Sequence, residues 1–386
     1  MNIVFVGETG VPYLNRAADT RLLFLANMLA QNNKIYILNR MPYKKINFTV
    51  DSMLDENIKV VNLFSSSYKL QKIIYRVLFS LISYPVELIY LLRLNYKINI
   101  NVLHIYSGHF ADHLFYFIIS KIISAKTCLQ YVEFRFSPSA KGYNKINGYL
   151  VDYKSYVFFN GFIPISTYIS NHIKSLTPQK PIINIPPICN FDYISSISND
   201  YNHEKPYLLY CGFSGYETVI FKIIDCFELL MNHDTLSLDA DLILIVNGDI
   251  KNLKLKVRNN KRIKILQNID FIDLIKLYKS AEVLFIPLQN TIREIARFPN
   301  KICEYTASKG LILTTNVGEI PLYFTDKENA VIAKDCSAES LLEQLIWIFQ
   351  NPDKLPAIRE NAYKLGCDFF DAYKYEKEIN SFLLKL

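Results

Sequence analysis

Three cations and one carboxylate within residues 281–324 have the side-chain types that a nucleotide ligand requires. Arg293, Arg297 and Lys301 can neutralise phosphate charge, and Glu304, one helical turn after Asn300, can accept hydrogen bonds from ribose hydroxyls. The same residues also fit a plainer structure, in which Glu304 is a solvated helix acid and the arginines lie on a surface loop. On residue types alone, both interpretations stay open.

Two predicted helix N-termini in this segment favour the phosphate interpretation. One begins near Phe298 and Asn300, the other near Gly318 and Glu319, and each follows a predicted strand of one sheet. Helix N-termini carry unpaired N–H groups and a partial positive charge, which suit an anionic ligand. The segment therefore predicts a phosphate site at the carboxyl ends of neighbouring strands.

Two patterns that could hold a metal are better explained without one. Residues 239–241 match D-x-D but lie at the start of a predicted strand, whereas ligands gather at the carboxyl ends. His109 and His113 are four residues apart but lack the glutamate of the H-E-x-x-H motif. We therefore expect no metal cofactor. His109 is either an acceptor-side residue or an ordinary surface histidine.

The first predicted loop, residues 7–16, does not have the spacing of a dinucleotide site. Gly7, Glu8 and Gly10 do not complete G-x-G-x-x-G, which argues against a dehydrogenase. We expect Gly10 and Arg16 to line the acceptor side of a cleft, with a simple structural turn as the alternative.

Alternating apolar strands and amphipathic helices must position these residues. The pattern predicts an α/β fold of two doubly wound, Rossmann-like domains facing a central cleft. A polar break at residues 195–206 separates the halves. We expect one domain over 1–200, a second over 201–370, and a last helix, 371–386, that packs back on the first domain. Among the predicted strands are 3–6, 34–38, 58–63, 101–106, 127–132, 161–165, 181–185, 207–212, 241–248, 263–266, 281–287 and 310–315.

Composition limits the class of protein further. With 386 residues, 51% of them hydrophobic, the chain suits two or three folded domains and excludes a disordered protein. Its net charge is +7, and its charged residues form no block of like sign. This favours a phosphate ligand or an anionic membrane over nucleic acid as the binding partner. The seven cysteines include no C-x-x-C, which favours a reducing compartment. We expect a cytoplasmic protein, with a peripheral place on the inner membrane face as a further option.

The membrane option depends on the segment Tyr68–Lys97. It places Lys69, Lys72, Arg93 and other basic residues around a long apolar stretch, which is typical of an amphipathic helix on an anionic membrane. The alternative is a pair of core helices of the first domain.

The chain resembles the retaining GT-B glycosyltransferases of the glycosyltransferase-4 type, also described as glycosyl transferases group 1. The resemblance rests on RFPNKICEYTASKGLILTTNVGEIPLYF (297–324) and the preceding LIKLYKSAEVLFIPL (274–288). Further support comes from LILIVNGD (242–249), NIPPICNFDYI (184–194) and GFIPISTYISNHI (161–173). It covers nearly the whole chain, weakly before residue 125 and well after residue 205.

The resemblance implies an acceptor-binding role for the domain over 1–200, a nucleotide-sugar-binding role for the domain over 201–370, and roles for individual residues. It implies a nucleotide-diphosphate-sugar as co-substrate, with Glu304, Lys301 and Glu133 as catalytic groups and His109 and Arg135 on the acceptor side together with Gly10 and Arg16. The donor-binding residues that it implies are Gly212, Asn247, Arg293, Arg297, Phe298, Asn300, Lys301, Glu304, Gly318 and Glu319.

The sequence departs from the family pattern at three places. The first of two glutamates usually found eight positions apart falls on Ala296, with Glu294 nearby. Phe213 stands where many members have an arginine for the diphosphate, and the following lysine position reads as Thr218 or thereabouts. The diphosphate role would then pass to Lys301, Arg297 or Arg293, or be lost.

The predicted function is transfer of a sugar, with retention of configuration, to a glycan or lipid-linked acceptor in surface polysaccharide synthesis. One alternative is a GT-B-like binding or scaffold protein without catalysis, which the substitutions at Ala296 and Phe213 allow. Another is a nucleotide-sugar epimerase on the same architecture.

Overall fold

The computed structural model describes residues 1–11, 17–40, 54–64, 73–233 and 238–386. They form two compact units, one of residues 1–188 with 372–386 and one of residues 189–371. The division falls ahead of the polar segment 195–206, because Lys279 Nζ ties that segment to the second unit by donating to the carbonyls of Ser195 (3.1 Å) and Ile197 (2.5 Å). Arg16, Lys69 and Lys72 lie outside the described residues.

The first unit is built on a sheet of six parallel strands in the order β3-β2-β1-β4-β5-β6. Its central strands are almost entirely buried because they are mostly apolar and are covered on both faces. The order reverses direction between β1 and β4, which is where open α/β sheets bind ligands. The strands are β1 (Asn2–Gly7), β2 (Lys34–Asn39), β3 (Ile58–Asn62), β4 (Val102–Tyr106), β5 (Lys126–Tyr131) and β6 (Gly161–Pro164).

Helices connect these strands as in a doubly wound fold. Ser166 begins α5 by accepting a hydrogen bond from the Ile169 N–H, which satisfies a free donor of the first turn. The described helices before the chain leaves this unit are α1 (Ala17–Ala30), α2 (Ile73–Ile98), α3 (Phe110–Ile122), α4 (Gly142–Tyr153) and α5 (Thr167–Leu176).

Helix α2 is one continuous helix over Ile73–Ile98, so the alternative of a pair of helices is wrong. Pro85 lies inside the helix and is exposed. A proline ring there forfeits one hydrogen bond, and the lost pairing is tolerated where water can reach the free carbonyl. Among the described helices none is long and apolar enough to cross a membrane.

The strand predicted over residues 181–185 is also absent, for a chemical reason. The segment follows β6 closely, and Ile183 N donates to Phe162 O at 3.1 Å and Ile185 N to Pro164 O at 3.0 Å. Only Ile182 forms a bridge, however, because Pro181 and the prolines at 186 and 187 supply no N–H donor to extend the ladder.

The second unit repeats the architecture with six parallel strands in the order β12-β11-β10-β7-β8-β9. Here the direction reverses between β7 and β10. The strands are β7 (Tyr207–Phe213), β8 (Asp241–Asn247), β9 (Ile263–Leu266), β10 (Val283–Ile286), β11 (Ile312–Thr315) and β12 (Val331–Ala333). Both sheets confirm the predicted α/β class with two Rossmann-like domains.

Side-chain caps begin several helices of this unit. Asp270, Thr291 and Ser337 each accept a backbone N–H of the first turn that follows them. The helices are α6 (Phe191–Ser196), α7 (Glu217–Met231), α8 (Lys251–Val257), α9 (Phe271–Ser280), α10 (Ile292–Ala296), α11 (Lys301–Ala307), α12 (Ile320–Tyr323), α13 (Ala338–Gln350) and α14 (Leu355–Phe369).

The end of the chain returns to the first unit as helix α15 (Glu376–Leu384). Ile379 and Leu383 are buried, and Asn33 Nδ2 donates to Asn380 Oδ1 at 2.7 Å. Gly161 of β6 lies against the side chains of Phe382 and Leu386, where any larger residue would collide.

Candidate functional site

The carboxyl ends of β7 and β10 bring together the cations that the sequence predicts for the donor. Strand β7 ends at Phe213 and runs through a short turn, Ser214–Tyr216, into α7, while β10 is followed by the segment that contains α10 and α11. Since this is the point where the strand order reverses, it is the expected ligand-binding edge of the sheet.

Two guanidinium groups stack on one tyrosine ring at this edge. The Cζ atom of Arg297 lies 4.1 Å from the centroid of Tyr216, and that of Arg293 lies 5.1 Å from it. Arg297 Nη2 also pairs with Glu294 Oε2 at 2.7 Å, and Glu294 is buried. Cation–π contacts within about 6 Å of a ring are attractive, so Tyr216 holds two positive charges side by side.

A second charged pair lies at the start of α11. Lys301 Nζ is 3.2 Å from Glu304 Oε2, with 18% of the lysine side chain and 2% of the glutamate side chain exposed. Burial disfavours the charged form of Lys301, but electrostatic attraction and hydrogen bonding to Cys211 and Glu304 favour it more strongly. The pKa of Lys301 is therefore raised above its ordinary value. Lys301 is therefore a cation at neutral pH, and Glu304 lies beneath it.

Asn300 adds an open hydrogen-bonding group next to this pair. It precedes α11 without capping it, and its buried Oδ1 atom has no hydrogen-bond partner in the described structure. Buried polar atoms are nearly always paired, so this amide is a candidate for contact with a ligand.

The Gly318 loop closes against the same segment. Gly318 has φ +63°, and a Cβ atom there would lie 3.0 Å from the carbonyl oxygen of Ile295. Only glycine accepts both the left-handed backbone and the close approach. Glu319, the next residue, is buried. The loop after β11 and helix α10 are thus in direct contact.

Two of the predicted donor-binding residues have side chains engaged in structural contacts, and a third is a closely packed glycine. Asn247 Oδ1 accepts the N–H of Asn268 at 2.9 Å. The buried Phe298 ring packs on Tyr323, with centroids 5.2 Å apart. Gly212 lies against the hydroxyl of Tyr210. Gly212 and Asn247 also lie in the paired part of the β7–β8 ladder.

The positions that depart from the family pattern have a clear structural basis. Ala296 is fully buried, so it offers no group to a ligand, and the nearby carboxylate of Glu294 is paired with Arg297. Phe213 is 56% exposed at the end of β7. The cations that a diphosphate would need therefore come from the α10–α11 segment rather than from β7.

In the first unit, the segments that follow β1, β4 and β5 carry a cluster of four ionisable side chains. Glu8 Oε1 lies 3.4 Å from His109 Nε2, and Arg135 Nη1 lies 3.3 Å from Glu133 Oε2. Glu8 Oε2 also accepts the N–H of Gly108 at 3.2 Å, and Gly108 lies against the Arg135 guanidinium. Three of the residues predicted for this cluster, Glu133, His109 and Arg135, are thus brought together.

The charges of this cluster shift one another's protonation. Burial alone would raise the pKa of Glu8, but the hydrogen bond and positive charge of His109, together with Arg135, bring that pKa down to about 2. The hydrogen bond to Glu8 conversely raises the pKa of His109. The carboxylate is ionised throughout the neutral range and favours the charged imidazole.

Two buried aspartates hold this cluster in place. Asp112 accepts the hydroxyls of Ser107 (2.6 Å) and Tyr84 (2.7 Å) and pairs with Arg40. Asp152 Oδ2 accepts the N–H groups of Arg135 (2.8 Å) and Phe136 (2.5 Å). These contacts fix the loops that carry His109 and Arg135.

The remaining candidates have local partners. Gly10 lies against the carboxylate of the buried Asp19. His113 is buried between Ser155 Oγ and Ser107 O, each 2.9 Å away. Asp239 pairs with Lys205 at 2.8 Å. In the described ranges, no three His, Cys, Asp or Glu side chains are grouped as metal ligands would be.

Sequence reasoning missed Tyr216, Asp112 and Asp152, named Glu294 only as a neighbour of Ala296, and named Glu8 only as part of a loop. None of them belongs to a short motif, since each acts on a partner that the fold supplies. Glu294 alone had a signal, because it lies near the expected glutamate position.

Several solved structures share this fold over the whole chain. A sucrose-phosphate synthase from Thermosynechococcus elongatus is 12% identical with a TM-score of 0.74, covering 100% of this chain and 98% of that chain. Alr3699/HepE from Anabaena, solved in complex with UDP-glucose, is 13% identical with a TM-score of 0.72, covering 100% of both chains. A glycosyltransferase from Rickettsia africae ESF-5 is 16% identical with a TM-score of 0.70, covering 100% and 98%.

These matches, with the two doubly wound sheets, define the chain as a protein of the GT-B fold. Residues 195–365 match the family model described as glycosyl transferases group 1. No curated protein sequence matches the chain significantly. The resemblance seen in the sequence is confirmed over residues 195–365 by the family model, and the solved structures give the whole chain the GT-B fold.

Proposed function

We propose that this protein is a retaining glycosyltransferase that moves a sugar from a nucleotide-diphosphate-sugar to a glycan or lipid-linked acceptor in surface polysaccharide synthesis. The observation that carries the proposal is the stack of Arg293 and Arg297 on Tyr216 beside Lys301, at the switch point of the second sheet. UDP-glucose in the Anabaena neighbour supports the class of donor.

The second unit supplies the positive charge that the reaction needs. As the glycosidic bond breaks, negative charge develops on the leaving diphosphate, and fixed cations nearby stabilise it. Arg293, Arg297 and Lys301 are offset in part by Glu294 and Glu304, so the five groups carry a net charge of +1. We propose that they serve without a metal cofactor, and transfer should then persist in EDTA.

The first unit supplies groups that can hold an acceptor. Glu8 and Glu133 can accept hydrogen bonds from sugar hydroxyls, and His109 and Arg135 can donate to them. In the proposed mechanism the acceptor hydroxyl attacks from the face that the diphosphate leaves, which retains the configuration. The leaving phosphate then takes the hydroxyl proton. Glu133 would orient the acceptor.

We place this activity in the cytoplasm, on the inner face of the membrane. All seven cysteines are free thiols, five of them buried, which suits a reducing compartment.

A nucleotide panel tests the donor site. We expect isothermal titration calorimetry to show binding of one of UDP, GDP or ADP, or of its sugar conjugate, to the second unit's cations. Lys301→Met should weaken that binding by about tenfold, since a hydrogen bond to a charged group is worth about 1.5–3 kcal/mol. Arg262→Met is the matched control, because Arg262 pairs with Asp239 at the opposite end of the sheet.

The outcomes separate the alternatives. Equal affinity of Lys301→Met, Arg262→Met and the unaltered protein would contradict the donor site. Binding of a nucleotide-sugar with no transfer to any acceptor would instead favour a binding or scaffold protein. Interconversion of the donor sugar without an added acceptor would identify an epimerase.

A further inference from the structure

Helix α2 presents an apolar stripe to solvent. Ile82, Pro85, Ile89, Leu92 and Tyr96 are all exposed and follow one another at intervals of three and four residues. Tyr96 is 93% exposed. A helix of a globular domain normally turns such a stripe toward the core, whereas the buried side of α2 carries Ser83 and Glu87 as well as leucines.

Helix α3 presents a second apolar stripe beside the first. Leu114, Ile118 and Ile122 are exposed at the spacing of one helix face, with Ile122 at 57%. The two helices touch, because the rings of Tyr84 and Phe115 lie 4.7 Å apart and Tyr116 donates to Glu87.

Because the helices touch at the half-buried Tyr84 and Phe115, which lie next to the two stripes in sequence, we take the stripes together as one surface. We call this surface, residues 81–97 and 111–122, the α2–α3 face. Contiguous apolar patches of this kind mark binding surfaces rather than ordinary protein exterior.

Within helices α2 and α3, from Leu81 onward, the exposed charged side chains all have one sign. Between Leu81 and Val132 the carboxylates are Glu87 and Asp112, and both are fully buried. Arg93, Lys97 and Lys121, by contrast, are exposed. The solvent side of the two helices is therefore apolar with a purely cationic rim.

Neighbouring helix α4 continues the same composition. Tyr143, Ile146 and Tyr149 are exposed, and Lys141 and Lys145 are exposed beside them. Tyrosine is enriched where a protein meets the headgroup layer of a bilayer, because its ring is apolar and its hydroxyl is polar.

We propose that the α2–α3 face docks on an anionic lipid bilayer, with its apolar stripes inserted at the headgroup level and its lysines and arginine on lipid phosphates. A second copy of the chain fits less well, because an isologous contact would bring the cationic rims of both copies together. Anionic lipid complements both the apolar surface and the charge. This inference deepens the proposed function by naming its partner surface.

Vesicle flotation of the full chain tests this proposal without any sugar donor, so its result is separate from that of the donor site. We expect the protein to float with vesicles of phosphatidylcholine and phosphatidylglycerol, but only weakly with phosphatidylcholine alone. Ile118→Glu with Ile122→Glu should lower the partition coefficient by about tenfold or more. Leu255→Glu, at a leucine 63% exposed on α8 of the second unit, is the matched control.

A charge variant separates insertion from simple attraction. Lys97→Glu with Lys121→Glu should weaken binding to the anionic vesicles and remove its dependence on salt. Circular dichroism checks that each variant is folded. Equal flotation of the isoleucine variant and the Leu255→Glu control would overturn the proposal. So would a dimer in analytical ultracentrifugation that the isoleucine substitutions abolish, with no vesicle binding.

Discussion

Glu8 interacts with His109 in the folded protein, and each shifts the pKa of the other. The contribution of this contact to stability can therefore be measured as a function of pH. The pKa of Glu8 is lowered to about 2 and that of His109 is raised above 6.5. Because the pKa of Glu8 is lowered in the folded protein, its carboxylate stabilises the fold fully above pH 4.5, the ordinary pKa. This stabilisation is lost as pH falls toward 2. Because the pKa of His109 is raised in the folded protein, its imidazolium stabilises the fold fully below pH 6.5, the ordinary pKa. This stabilisation is lost as pH rises through the raised pKa. The contact between Glu8 and His109 therefore gives its full stabilisation between pH 4.5 and pH 6.5, the two ordinary pKa values.

Removing the Glu8 charge should return His109 to ordinary behaviour. We predict that NMR titration places the His109 midpoint above 6.5, and that Glu8→Gln moves it down toward that value. His104 is the internal control, because its pKa is lowered to about 4 chiefly by burial and it makes no contact with Glu8. An unchanged His109 midpoint in the variant would show that another group sets its pKa.

Tyr216 should act through its ring rather than its hydroxyl. Tyr216→Ala removes both cation–π contacts, each worth about 0.5–2 kcal/mol, so we predict a roughly tenfold weaker affinity for the nucleotide that the panel identifies. Tyr216→Phe keeps the ring and should bind nearly as the unaltered protein does. Calorimetry with both variants decides the point, and equal loss in the two would assign the effect to the hydroxyl.

The sequence revealed the cations of this site but not what holds them. Arg293, Arg297 and Lys301 could be recognised because phosphate chemistry calls for their side chains. Tyr216 could not be recognised, because it follows β7 whereas its partner Arg297 follows β10. Their contact therefore leaves no short motif in the sequence. Similarly, Glu304 is buried beneath Lys301 because of tertiary packing, and residue types alone do not predict that burial.

At the scale of elements, the turn after β11 depends on Gly318. An alanine there would strain the backbone at φ +63° and press on the Ile295 carbonyl, so we predict that Gly318→Ala lowers the free energy of unfolding of the second unit by about 1–3 kcal/mol. Urea denaturation followed by tryptophan fluorescence measures this, since Trp347 of α13 is the only tryptophan of the chain.

Gly215→Ala provides the control for that measurement. Its Cβ atom would meet only the side chain of the exposed Phe213, and its backbone has no left-handed φ. Its effect should stay within about 0.5 kcal/mol. Equal losses in the two variants would show that the Gly318 turn is more adaptable than its geometry indicates.

Element prediction succeeded where burial dominates and failed where backbone chemistry does. Helix α9 lies where the apolar spacing predicts it, at Phe271–Ser280. Residues 181–185 are as apolar as a strand, yet prolines around them remove the donors of a ladder. Where a pair of helices was the alternative, one helix, α2, continues through the exposed Pro85.

At the scale of the whole molecule, the chain passes twice between its units at positions that lie together. Cys189, the first residue of the second unit, donates its N–H to Phe370 O at 3.0 Å, one residue before that unit ends at Asp371. Two halves are visible in the sequence because the strand and helix pattern restarts. The return of the last helix was expected from resemblance rather than from residues.

The packing of α15 should make the last residues part of the first unit's stability. Ile379 is fully buried, so Ile379→Ala should cost about 2–5 kcal/mol, whereas Leu384→Ala on the same helix, where the leucine is 71% exposed, should cost little. Hydrogen exchange read by mass spectrometry should then show faster exchange in α1 and β6, next to Asn380 and Phe382, with β7 and β8 unchanged. Faster exchange in β7 and β8 to the same extent would mean that the two units unfold together.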